Sequence, residues 1–194
     1  MAGALAVAPK KLDMFGAIVV GIVTALGGGT LRDVLLGTRV FWVVDPIWVV
    51  VSVGAAVATF FVARHVRFRQ SVVLVLDAFG LALFTIVGCE KALGMHLSYS
   101  VVVMMGIITG VAGGIARDLL CDEVPQVFCG GALYATAAFI GTLPFLGLLA
   151  LGVNTEIAAW TGVTVALVVR LAALKWNIEL PLFVLREPKR KTDN

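Results

Sequence analysis

Seven residues, Gly27-Gly28-Gly29-Thr30-Leu31-Arg32-Asp33, interrupt a long apolar segment and return 85 positions later as Ala112-Gly113-Gly114-Ile115-Ala116-Arg117-Asp118. Gly21 and Thr24 recur at the same offset as Gly106 and Thr109, and a proline follows in each connection, at Pro46 and Pro125. A glycine inside a helix costs about 1 kcal/mol relative to alanine and invites a kink or an unwound turn. A chain that carries this costly device twice at one period is an internal duplication.

The apolar segments around the motif decide the solvent. Hydrophobic residues make up 60% of the 194 positions and charged residues 14%, against about 45–50% and about 25% in soluble domains. Several near-uncharged runs reach the ~20 residues that a membrane-spanning helix needs. The expected spans are 12–36, 47–63, 72–88, 98–120, 132–151 and 157–174. Pro144 should kink the fifth of these. Gly3 matches Gly88 at the 85-residue offset, so a first span is expected to be present only as its end.

Basic residues cluster at Lys10-Lys11, at Arg64, Arg67 and Arg69, and from Lys175 to Lys191. If each span crosses once, all three clusters share one side, the cytoplasmic one. With the first span completed there are seven crossings and three helices per repeat. An odd number inverts the second copy relative to the first. The expected organisation is a first three-helix repeat over 1–70, a second inverted repeat over 71–152, a seventh helix over 153–182 and a basic cytoplasmic tail over 183–194.

The motif admits two readings. Glycines in membrane helices let neighbouring backbones approach closely. A glycine break also frees carbonyl oxygens, which is tolerated where they are buried or line water and where they can hold a desolvated cation. Thr24 and Thr109, one turn before the two copies, raise the weight of the second reading. Adjacent residues do not face one another on a helix, so Arg32 and Asp33, and Arg117 and Asp118, are each expected to need separate partners at wet mouths. Asp77 and Arg170 lie inside spans and are expected to pair with each other. His65 reads as part of a basic loop.

Cys89, Cys121 and Cys129 lack metal-ligand spacing and read as ordinary small residues. No nucleophile elbow, phosphate loop or His/Glu metal cluster is present, so the chain is not expected to be an enzyme. The basic balance sets topology and is no nucleic-acid footprint.

From Leu12-Asp13-Met14-Phe15-Gly16 through Thr24 to Asp33, and again from Gly113 to Pro125, the chain resembles the prokaryotic relatives of trimeric intracellular cation channels. These are small bacterial membrane proteins whose duplicated domain is also labelled a glycine transporter. The resemblance implies an all-α polytopic membrane protein of two inverted three-helix repeats and a seventh helix, assembled as a homotrimer among membrane lipids in the plasma membrane. It implies a separate pore in each protomer, with potassium or another monovalent cation passing between the second and fifth helices, and no resident cofactor. Gly27, Gly28, Gly29, Gly113 and Gly114 would be the kinks, with Thr24 and Thr109 nearby and Arg32, Asp33, Arg117 and Asp118 at the mouths. Ala112 departs from the pattern, where a third glycine would stand. The other label implies a carrier of glycine or a similar small zwitterion, for which Asp77 and Arg170 would supply the two opposite charges.

Overall fold

The apolar runs can satisfy their backbone groups in a bilayer only by forming helices, since an unmade hydrogen bond in hydrocarbon costs several kcal/mol. In the computed structural model, which describes residues 2–3, 13–65, 70–128 and 133–178, they do so. The helices are α1 (Met14–Leu35), α2 (Phe41–Val44), α3 (Ile47–His65), α4 (Gln70–Gly94), α5 (Tyr99–Leu120), α6 (Ala135–Ala150) and α7 (Thr155–Trp176). Four of them, α1, α4, α5 and α7, are long and apolar enough to cross a membrane, and Ile47–Val62 and Ala135–Ala150 are shorter apolar helices. Lys10-Lys11, the basic residues at 67 and 69, Cys129 and the tail beyond 178 lie outside the described residues.

Side chains of the turns punctuate the spans. Asp13 caps α1 through its Oδ1, which accepts from the Gly16 N–H at 2.8 Å. Asn154 does the same for α7, accepting from Glu156 at 2.7 Å. The stretch expected to be a plain connection after α1 contains the short helix α2, tied back by Trp42 Nε1 donating to Thr30 Oγ1 at 2.9 Å. Glu90 and Lys91, expected in a loop, belong to the last turns of α4.

The core mixes small and large side chains. Ile86, Cys89, Ala92, Val102, Met105, Phe145 and Ala158 form one cluster where α4, α5, α6 and α7 meet. Leu81, Val111, Tyr134 and Ala138 form a second. The closest helix pairings are α4 with α5, α6 with α7 and α1 with α5. Without a hydrophobic driving force between helices in lipid, such contacts depend on close van der Waals approach. Gly141 and Gly162 provide it between α6 and α7, where a methyl on either would lie 2.9 Å from the other's carbonyl oxygen.

The duplication is visible in the contacts. A methyl at Gly28 would overlap the carbonyl of Thr109, and one at Gly113 would overlap the carbonyl of Thr24. Each of these contacts becomes the other under the 85-residue offset, as a twofold relation between inverted copies requires. Gly3 against Thr24 and Gly88 against Thr109 repeat the relation.

Helical structure runs through Gly27–Gly29 and through Gly113–Gly114, with no unwound turn in α1 or α5. This corrects the expectation of a break with freed carbonyls. The missing side chains of Gly28 and Gly113 bring the two backbones together, while Gly29 and Gly114 make room for Phe41 and Tyr134. Their propensity cost is offset by packing.

Candidate functional site

The two motifs end in the same turn. After α1, Leu36 N donates to Arg32 O at 2.9 Å, Gly37 N to Val34 O at 3.1 Å and Thr38 N to Asp33 O at 2.9 Å. After α5, Cys121 N donates to Arg117 O at 3.0 Å, Asp122 N to Leu119 O at 3.1 Å and Glu123 N to Asp118 O at 2.9 Å. The turn needs a left-handed residue, supplied by Gly37 (φ 64°) in one copy and by Asp122 (φ 53°) in the other. Glycine adopts that conformation freely and Asp tolerates it better than most residues.

The aspartate of each motif then ties down the chain beyond the turn. Asp33 Oδ2 accepts from the Phe41 backbone N–H at 2.8 Å, and Asp118 Oδ2 accepts from Gln126 N–H at 3.0 Å. Phe41 and Gln126 are again 85 positions apart. A backbone N–H donates whatever side chain its own residue carries, so residue types at 41 and 126 gave no signal for this role. The offset alone could have found it.

The expectation that neighbouring Arg and Asp need separate partners is corrected. Arg32 Nε donates to Asp33 Oδ1 at 2.8 Å, and Arg117 Nε donates to Asp118 Oδ1 at 2.8 Å. The rule for helix neighbours concerns where Cβ atoms point. An arginine is long enough to swing its guanidinium beside the next residue and present its planar fork of donors there. Nor are the arginines at wet mouths: Arg32 is 5% exposed and Arg117 is 1% exposed.

Beyond this shared core the copies diverge. In the first, Lys91 Nζ reaches from α4 to Asp33 Oδ1 at 2.7 Å, and Arg32 lies 5.9 Å from the centre of the Phe41 ring. One buried carboxylate there faces two cations. In the second, Arg117 also donates to Asp77 Oδ1 on α4 at 2.5 Å. In place of the expected pair between Asp77 and Arg170, Asp77 Oδ1 is taken by the α5 guanidinium. Arg170, from α7, stacks over the Tyr134 ring at 4.6 Å and donates to Gln126 Oε1 at 3.1 Å. Gln126, Tyr134 and Lys91 are site residues that sequence reasoning did not single out.

The Lys91 contact is the more dispensable of these ion pairs, because the Lys91 side chain is 31% exposed and Asp33 keeps its other two donors. Lys91→Gln is expected to lower stability by less than about 1 kcal/mol. Thermal melting in detergent checks this, and a loss comparable to that of a buried-pair deletion would refute it.

Between α1, α4 and α5 lies a cavity of about 250 Å³. Thr24, Gly28 and Gly29 line it from one copy, and Thr109, Gly110, Gly113 and Gly114 from the other, with Asp77 and Tyr134 in its wall. The two threonine hydroxyls donate back along their own helices, Thr24 to Val20 O at 2.6 Å and Thr109 to Met105 O at 2.5 Å. Their oxygens keep acceptor capacity. Asp77 is the one formally charged side chain among the described lining residues. Arg32, Asp33, Arg117, Asp118 and Arg170 are not among them. Among the described residues no group of three or more His, Cys, Asp or Glu is placed to hold a metal ion.

Comparison with known proteins agrees with this architecture. The family model described as glycine transporter matches residues 1–64 and 74–150. The UPF0126 inner membrane protein YadS of Escherichia coli (strain K12) is 40% identical over 193 residues, covering 98% of this chain and 93% of that protein. The trimeric intracellular cation channel orthologue from Rhodobacter sphaeroides has a TM-score of 0.86 at 41% identity, covering 91% of each chain. A second solved TRIC cation channel has a TM-score of 0.85 at 32% identity, covering 96% of this chain and 92% of its own. The inverted duplication, the paired glycine helices and these likenesses together mean that this integral membrane protein belongs to the trimeric intracellular cation (TRIC) channel family, the family of the duplicated glycine-transporter domain.

Proposed function

We propose that the chain conducts monovalent cations, potassium being the expected ion, along a route within each protomer of a homotrimer. The route runs between α1 and α5 through the cavity bounded by Thr24, Gly28, Thr109 and Gly113. One observation carries this reading: the described lining of the cavity offers hydroxyl and carboxylate oxygens, includes Asp77, and includes no Lys, Arg or His. Such a wall attracts a cation and holds it weakly, as conduction requires. The reciprocal glycine contacts narrow the route where the two copies meet. The likeness to solved cation channels supports the same reading.

A carrier of glycine needs partners for an ammonium and for a carboxylate. Asp77 could take the first. Arg170, the expected partner for the second, stacks on Tyr134 and donates to Gln126 and is not part of the described lining. The orientation that follows from the basic clusters has the C-terminus in the cytoplasm, with Asp77, Arg117 and Arg170 towards that side.

Reconstitution in liposomes separates the readings. Potassium flux driven by a voltage, without counterflow of labelled glycine, is the expected result. Glycine counterflow without potassium current would put the carrier in its place.

A further inference from the structure

Arg170 is 2% exposed and projects from α7, the helix that lies outside the duplication and packs on α6 and α4. Its guanidinium meets two groups of the connection that follows the second motif. It stacks over the Tyr134 ring at 4.6 Å from the centroid and donates to Gln126 Oε1 at 3.1 Å. Gln126 in turn is fixed through its backbone N–H by Asp118 at 3.0 Å. One planar group, with a face to stack and a fork of donors, therefore ties the end of α5 to the start of α6.

The first copy has no counterpart of this unit. The 85-residue offset carries Gln126 to Phe41 and Tyr134 to Val49, and Phe41 offers no amide oxygen and Val49 no ring. Duplication thus does not account for Tyr134. Helix-start chemistry does not account for it either. Tyr134 stands at the N-cap of α6 without a side-chain cap bond, at a position where Ser, Thr, Asp or Asn is favoured.

What Tyr134 does touch is the wall of the cavity. It lines the cavity together with Gly114, and its hydroxyl takes the space that a side chain at 114 would need: a methyl there would lie 2.5 Å from that oxygen. Leu81, Val111 and Ala138 pack with Tyr134, and Arg170 covers a face of its ring. The space into which a loosened ring can turn is the cavity it already lines. At about 250 Å³, that space is several times the share of one water molecule in the liquid, about 30 Å³.

We infer that Arg170 is a positioning residue for conduction: by stacking on Tyr134 and holding Gln126, it keeps the Tyr134 ring against Gly114 and out of the path of the ion. This rests on the channel reading above and adds to it what α7 contributes. Arg170 acts through the tyrosine, not on the ion.

Arg170→Lys keeps the charge and removes the planar fork that stacks and donates. Its unitary potassium conductance in planar bilayers should fall about threefold or more, the low end of the coupling between residues in contact. Adding Tyr134→Leu removes the obstructing ring, so the double variant should conduct like the Tyr134→Leu single variant. The loss caused by Arg170→Lys then vanishes where the ring is absent. If Arg170→Lys does not fold, Gln126→Leu releases the guanidinium at its other end, and the same comparison with and without Tyr134→Leu decides.

An effect of the Arg170 charge on the ion predicts that Arg170→Lys conducts like the wild type. A purely structural role predicts a lower yield or melting temperature, with unchanged conductance in the protein that survives. Either result, or an equal loss with and without the Tyr134 ring, overturns the proposal and leaves the channel standing. Absence of any wild-type current overturns the channel reading itself, and the proposal with it.

Discussion

Arg117→Ala should cost about 3–5 kcal/mol of stability, the scale for breaking a buried ion pair by deleting one partner. The Arg117 guanidinium joins Asp77 on α4 to Asp118 on its own helix, and the side chain is almost wholly buried. Its loss leaves two largely buried carboxylates without their shared cation. The protein should accumulate poorly, and what remains should melt far below the wild type in the same detergent. Adding Asp77→Asn to Arg117→Ala removes one stranded charge and should recover part of the loss. An Arg117→Ala protein that melts like the wild type would refute this account of the cluster. The motif alone supports a different expectation, an altered current in an intact protein, because it suggests an arginine at a wet mouth. Burial reverses that.

Gly28→Leu and Gly113→Leu should both prevent normal assembly of α1 against α5. The first atoms that a side chain would meet are the carbonyl oxygens of Thr109 and Thr24, which belong to backbone held in helices. A flexible side chain could rotate away, whereas a helical carbonyl moves only with its helix. The loss should therefore exceed the about 1–3 kcal/mol typical of overpacking, and alanine at either position should already be damaging. Gly27 is the control, since a methyl there meets no atom within 4 Å. Gly27→Ala should be neutral or stabilising by up to about 1 kcal/mol, the helix-propensity gain. Melting of the single alanine variants ranks them, and equal tolerance at 27 and 28 would remove the packing explanation.

These results would bear on the motif as a whole. The Arg-Asp dipeptide acts as a clamp in both copies: the arginine holds the aspartate, and the aspartate holds the backbone eight residues on. The glycines let that helix lie against its inverted partner. A route for ions then needs only the space left beside the contact, which is where the cavity lies. The two ends are nevertheless unequal. Lys91 adds a second cation to one, and Asp77 adds a second carboxylate to the other.

Several features could be read before any fold was known, because each depends on one-dimensional quantities. Composition and run length fix bilayer as solvent and helix as the structure, through the cost of unmade backbone bonds. The 85-residue offset identifies the duplication, and the odd span count inverts it. The offset also matches the glycines and threonines of one copy to those of the other, but it does not tell that Gly28 packs on Thr109 and Gly113 on Thr24.

Whether the glycines unwind or pack, which carboxylate Arg117 holds, and where Arg170 points were decided by tertiary structure. Each depends on how far helices rotate and how closely they approach, distances of a few ångströms that no local pattern specifies. Asp77 shows the difference. Its sequence position tells that a carboxylate lies inside a span and needs a cation. Only the packing of α4 on α5 brings Arg117 to one of its oxygens and buries the other.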